Sequence, residues 1–217
     1  MPSMLDNLNG SYSEAFRKLK TNIRYSSTNT ESKVIVITSC ESGDGKSTVA
    51  NDLAYSLSLE NKKVILIDGD LRKPTLYKKY KITKELGLTN ILVKEDKLES
   101  CIHKVNRNFY VLPSGHIPPN PSELLSSEEM DDLLSYFKEI YDYVIIDSTP
   151  FIFSDAQILC SKCDGVILIA VYEKTKKDAL INCKKLIDQV GGNLLGVILN
   201  KIKISTKLLN NYYGNYY

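Results

Sequence analysis

The stretch Ser39-Cys40-Glu41-Ser42-Gly43-Asp44-Gly45-Lys46-Ser47-Thr48 constrains this chain more than any other. It lies between an apolar run at 33–38 and a segment at 46–60 in which Val49, Leu53, Ala54 and Leu57 recur on one helical face. Glycines between a strand and a helix let backbone N–H groups turn inward, and the helix start adds its positive dipole end. Lys46 and Ser47 then complete a cradle for phosphate, the lysine reaching the outer phosphates and the hydroxyl holding magnesium. The strict spacing places a glycine six positions before the lysine, where this chain has Cys40. Gly43 and Gly45 still flank the bend, so the physics of the cradle survives that departure.

Further short apolar runs at 64–67, 109–112, 143–146, 165–171 and 194–199 read as strands. Helical patterns near 122–138, 154–161 and 176–190 lie between them. Alternation of this kind predicts an α/β fold, a parallel sheet covered by helices on both faces. We expect a helical arm over 1–30, a phosphate-loop domain over 31–208 and a tail over 209–217. At 43% hydrophobic and 25% charged, the 217 residues suffice for one large core. The formal net charge of +2 removes the electrostatic case for wholesale binding to nucleic acid or an anionic membrane. The apolar runs fall far short of the roughly 20 residues that cross a bilayer. The opening MPSMLDNLNG lacks the basic flank and apolar stretch of a signal peptide, so a cytoplasmic location is expected. Five cysteines in such a chain predict reduced thiols. Cys160 and Cys163 are close in sequence, but without a second Cys or His pair no structural zinc site is expected, and packing roles are.

Two further motifs end strands. Ile65-Leu66-Ile67-Asp68-Gly69-Asp70-Leu71-Arg72 follows one, and Val144-Ile145-Ile146-Asp147-Ser148-Thr149-Pro150 follows another. Ligands of open parallel sheets sit beyond the carboxyl ends of strands, so all three motifs converge on one edge. A magnesium nucleotide needs oxygen ligands there, and Ser47, Asp68, Asp70 and Asp147 offer them. The pattern reads as an ATPase or kinase scaffold.

Taken together, these motifs resemble the bacterial tyrosine kinases (BY-kinases) of capsule and exopolysaccharide synthesis. The resemblance extends to the arm Glu14-Ala15-Phe16-Arg17-Lys18-Leu19-Lys20-Thr21-Asn22, to Leu112-Pro113-Ser114-Gly115, to Pro118–Leu125 and to Ser154-Asp155-Ala156. It also covers a tail with Tyr212, Tyr213, Tyr216 and Tyr217. Lys20 stands where the family has a second Arg, Ser42 where it often has Pro, and Thr149 where a Pro-Pro pair is common. A Min/Par-type partitioning ATPase on a related scaffold is the nearest alternative; those carry a signature lysine early in the loop, and Cys40-Glu41-Ser42 contains none. A non-catalytic ATP-binding scaffold is the second.

The residues and the resemblance together imply ATP and Mg²⁺ as cofactors. Gly43, Asp44, Gly45, Lys46, Ser47 and Thr48 would cradle the nucleotide, and Asn200 would read the base. Lys46, Asp68, Asp70 and Arg72 are the catalytic candidates, with Ser47, Asp70 and Asp147 at the metal. Asp68 is the candidate to orient or deprotonate an incoming tyrosine, although Asp68 and Asp70 are hard to separate in these roles. The resemblance further implies a homo-oligomeric ring. Glu14, Arg17 and Lys20 would join its subunits, and the tail tyrosines would be phosphorylated in trans. It also implies a membrane-bound activator of polysaccharide synthesis that recruits the chain to the inner face of the membrane through its cytoplasmic tail, and a cognate tyrosine phosphatase. No nucleic-acid partner is implied.

Overall fold

The computed structural model describes residues 10–25 and 32–202; the tail tyrosines lie outside the described residues. The elements run α1 (Gly10–Tyr25), β1 (Val34–Ser39), α2 (Lys46–Ser58), β2 (Val64–Asp68), α3 (Leu76–Tyr80), α4 (Leu88–Leu92), α5 (Leu98–Cys101), β3 (His103–Lys104) and β4 (Phe109–Leu112). They continue with α6 (Pro121–Ser126), α7 (Glu128–Ile140), β5 (Tyr143–Asp147), α8 (Ser154–Lys162), β6 (Gly165–Val171), α9 (Lys177–Gln189) and β7 (Leu194–Asn200).

The described strands form one sheet in the order β3-β4-β2-β5-β1-β6-β7. All pairings are parallel except that of β3, a two-residue antiparallel edge strand that the sequence reading did not foresee. Strands β1, β2, β5 and β6 are buried along their whole length, as parallel strands covered on both faces must be. Their side chains alternate between two cores. Val34, Val36, Ile65, Ile67, Val144 and Ile146 face the side covered by α4 to α9. Ile35, Ile37, Val64, Leu66, Tyr143 and Ile145 face α1, α2 and α3. The expected helix at 122–138 is two helices. Ser127 adopts extended backbone between them, and its side chain accepts a hydrogen bond from the Met130 N–H to cap α7.

The arm is less separate than its sequence suggests. Phe16 and Ile23 of α1 are buried in the core that α2 builds. The Tyr12 hydroxyl donates to Oδ2 of the buried Asp52 at 2.7 Å. Lys20 points inward between the helices, its Nζ 3.2 Å from the Ser56 carbonyl and 2.5 Å from Glu60 Oε1. Glu14 and Arg17 pair with each other, with Arg17 largely exposed.

Docking of α1 therefore rests on an apolar contact that can be removed. Phe→Ala in a core costs about 3–5 kcal/mol. We expect Phe16→Ala to speed amide exchange across α1 by about 100-fold or more while β1 and β5 stay protected. Unchanged exchange in α1 would show that the helix is held by its polar contacts instead.

Candidate active site

The central strands β2, β5 and β1 stand side by side and deliver the three sequence motifs to one edge of the sheet. Register puts Asp68 directly opposite Asp147 as the last pair of β2 and β5. Beyond β1 the chain turns through Gly43 and Gly45, both at positive φ, into α2. Gly45 is required twice over. Its φ of 101° disfavours any side chain, and a Cβ there would lie 2.3 Å from the Asn200 amide nitrogen.

The loop is held from outside itself. Asp44 is fully buried, and its Oδ2 accepts the Glu41 N–H at 3.1 Å. Lys174 Nζ lies 2.9 Å from Asp44 Oδ1 and 2.9 Å from Glu41 Oε2. Asn200 Nδ2 donates to the Asp44 carbonyl at 2.9 Å, and Lys201 Nζ donates to the Gly43 carbonyl at 2.7 Å. Asp44, expected at the nucleotide, thus spends its side chain on shaping the loop. Asn200, expected at the base, has its side-chain amide nitrogen on the loop and its Oδ1 accepting from the Lys201 N–H. Lys174 is not legible in the sequence, because nothing local marks a lysine in a turn as a clamp on a loop 130 residues away.

Lys46 is buried, and burial lowers its pKa against the opposing pull of Asp147, Asp70 and Asp44. Burial and then the neighbouring Asp68 push Asp147 up to about 8, while the Ser47 hydroxyl and Lys46 draw it back. Asp68 is likewise pushed up to about 7 by burial, although its Oδ2 accepts the Thr75 and Leu76 N–H groups at 3.0 and 2.9 Å. Oδ1 of Asp68 and Oδ1 of Asp147 are both buried without a partner. Two adjacent carboxylates, each with an oxygen removed from water and unsatisfied, fit a site built for a cation or a proton donor that arrives with the ligand. No described group of three or more His, Cys, Asp or Glu side chains encloses a metal by itself. Magnesium, were it bound here, would use few protein ligands and complete its shell with phosphate oxygens and water, a role the two unsatisfied carboxylate oxygens fit.

The remaining candidates spread around this centre. Asp70, just past β2, accepts the Lys73 N–H on Oδ1 at 2.9 Å. Thr48 is exposed on the first turn of α2. Arg72 grips Asp155 of α8 through Nε at 2.6 Å and Nη2 at 3.1 Å, with Ser122 also donating to Asp155 Oδ1. The bidentate pair ties the second motif to the Ser154-Asp155-Ala156 stretch, and Phe153 lies against the guanidinium.

Comparisons with known proteins agree with this geometry. The family model described as an AAA domain matches residues 32–202. The chain is 40% identical over 204 residues to the tyrosine-protein kinase YwqD of Bacillus subtilis, covering 93% of this chain and 86% of that one. Among solved structures, the kinase domain of the Escherichia coli tyrosine kinase ETK superposes with a TM-score of 0.88 at 31% identity, covering 95% of this chain and 83% of that chain. The chimerical protein CapA2B2 matches at 0.82 and 35%, covering 87% and 84%. A plasmid partition protein of Borrelia burgdorferi shares the scaffold more distantly, at 0.66 and 25% identity, covering 85% and 87%.

The buried carboxylates also set a pH dependence. A carboxyl whose folded pKa is raised leaves the folded state unburdened below its unfolded pKa, near 4. It then costs stability increasingly until pH passes the folded value. For Asp147 that window runs from 3.8 to about 8. Asp147→Asn should therefore raise the melting temperature of the ligand-free protein by about 10 °C or more at pH 8 and leave it unchanged near pH 4. A lower melting temperature at pH 8 would mean that Asp147 is a structural anchor.

Proposed function

The chain belongs to the bacterial tyrosine-protein kinases, and from that premise we propose that it transfers the γ-phosphoryl group of ATP to tyrosines of its own C-terminal cluster in a neighbouring copy. One observation carries the reading: Asp68 and Asp147 are adjacent, buried and each short of one partner, beside Lys46 on a glycine-turned loop. Phosphoryl transfer demands alignment and neutralisation of charge more than covalent chemistry.

In this scheme the loop amides of 43–48 cradle the phosphates and Lys46 binds the β and γ groups. Ser47 and Asp147 would hold magnesium, directly or through water, with Asp70 as a further ligand-holder. Magnesium, when bound, neutralises the charge that develops between the β and γ phosphates. Asp68 takes the acceptor role. Its Oδ2 is occupied by two amides and its Oδ1 is free, and a carboxyl titrating near 7 can accept a hydrogen bond or a proton at neutral pH. A phenol of pKa about 10 then loses its proton late in the transfer. Arg72, fixed by Asp155, would pair with phosphate or steady an incoming tail.

Glu14 and Arg17 are the arm residues available for contacts between copies in a ring, while Lys20 supports the arm from within. The partners we propose are a membrane-anchored activator of capsule or exopolysaccharide synthesis and a tyrosine phosphatase. Recruitment to the membrane would run through that activator; no described helix is itself long and apolar enough to cross a membrane.

Incubation with magnesium and labelled ATP, plus an activator's cytoplasmic segment, followed by mapping of modified residues, tests the proposal. Phosphotyrosine at Tyr212, Tyr213, Tyr216 or Tyr217 is expected, and release of free phosphate alone would defeat it. Lys46→Met should cut transfer by about 100-fold or more with the fold intact. In light scattering, dephosphorylated protein should assemble and phosphorylated protein should be monomeric, because each phosphotyrosine adds about −1.5 to −2 charge beside the bound nucleotide. Equal masses for the two samples would rule out that switch.

A further inference from the structure

The cysteine that replaces glycine at the start of the phosphate loop has a partner that sequence spacing could not show. Cys40 lies directly after β1, and Cys183 projects from α9, yet their Sγ atoms are 3.3 Å apart. All five cysteines are free thiols. Cys101 and Cys160 are buried, whereas Cys40 and Cys183 are both partly open to solvent. Cys183 packs, with Ile187 of α9 and with Val190 just past its end, against the core that the sheet and its helices share. Its position is therefore set by the packing of the helix, and the approach of the two sulfurs does not depend on a long flexible side chain.

We propose that Cys40 and Cys183 form an oxidisable thiol pair. Closed to a disulfide by a peroxide, it distorts the phosphate loop and withdraws the protein from nucleotide binding until a dithiol reduces it. The inference rests on the nucleotide site argued above. Chemically, the Cys183 thiolate attacks one peroxide oxygen, the O–O bond breaks, and the sulfur becomes a sulfenic acid while hydroxide leaves and is protonated to water. The Cys40 sulfur then attacks that sulfur, the S–S bond forms, and a second water departs. Two electrons pass from the sulfurs to the peroxide and both thiol protons end in water. Sharing of a proton with Cys40 lowers the Cys183 thiol below its ordinary value, which favours Cys183 as the attacking group. The same hydrogen bond, then burial, raises Cys40, and the charges of Asp44 and Glu41 add to the effect.

Bond formation draws the sulfurs together by about 1.2 Å, since a disulfide spans about 2.05 Å. The pull falls on the first residue of the loop. The adjoining Ser39 hydroxyl donates to the Glu41 carbonyl at 2.6 Å, and the Glu41 N–H donates to Asp44 at 3.1 Å. Motion of Cys40 therefore passes within a few residues into the Gly43–Gly45 turn, where displacements of about 1 Å are enough to cost binding geometry.

The full chain treated with hydrogen peroxide should lose 2 Da and yield a Cys40–Cys183 cross-linked peptide on digestion. Titration with Mg-ATP should show affinity weakened at least tenfold and restored by dithiothreitol. Cys183→Ser should bind Mg-ATP like the reduced wild type and keep that affinity after peroxide. Absence of the cross-link overturns the inference, and so does a cross-linked protein that binds Mg-ATP as the reduced one does. Failure of the reduced wild type to bind Mg-ATP would instead defeat the function proposed above, with the cross-link still read independently by mass.

Discussion

Two carboxylates taken out of water side by side set the electrostatics of this site. The pairing of β2 with β5 sets Asp68 against Asp147, and neither residue can retreat, because each terminates a fully buried strand. Burial strips both of hydration, and like charges add to the effect, Asp68 acting on Asp147 and Asp70 on Asp68, so both pKa values climb toward neutrality. Lys46 meets them from the start of α2, itself depressed by burial. Each of these groups is uncomfortable alone, and the magnesium nucleotide proposed above would relieve them, its cation facing the carboxylates and its phosphates facing Lys46. The sheet order, the glycine turn and the helix that follows it are the means by which this charge arrangement is kept in place without a ligand.

Much of the architecture is legible in the sequence because buried parallel strands carry a strong local signature. The runs at 109–112 and 165–171 coincide with β4 and β6 residue for residue. The three motifs meet as expected because topology alone carries strand ends to one edge. Short elements are another matter. The helices α3, α4 and α5 span five, five and four residues, too few for a hydrophobic period to emerge, and β3 spans two. Their positions follow from tertiary contacts such as the Thr75 and Leu76 amides on Asp68.

Within the site, legibility divides along the same line. Residue type and spacing point to Lys46, Ser47, Asp68 and Asp147, whose chemistry is local to the motif. They do not reveal that Asp44 turns away to stabilise the loop, that Arg72 is fixed by Asp155, or that Lys20 is enclosed by Ser56 and Glu60. Those facts depend on partners distant in the chain, as does the meeting of Cys40 with Cys183. Cys160 and Cys163 are close in sequence, whereas the thiols that meet are 143 positions apart.

The clamps on the phosphate loop have a consequence for how the protein is made. Lys174, Asn200 and Lys201 reach Asp44 and Gly43 across separations of 130, 156 and 158 residues. During synthesis from the N-terminus, the loop emerges long before the residues that shape it, and contacts of such range form only after the intervening chain has been closed. The loop sequence is thus present early but cannot be set until β6 and β7 have joined the sheet. Nascent and truncated chains lacking that last strand carry the phosphate-binding sequence without its shape, so that competence for nucleotide arrives as one of the final acts of folding.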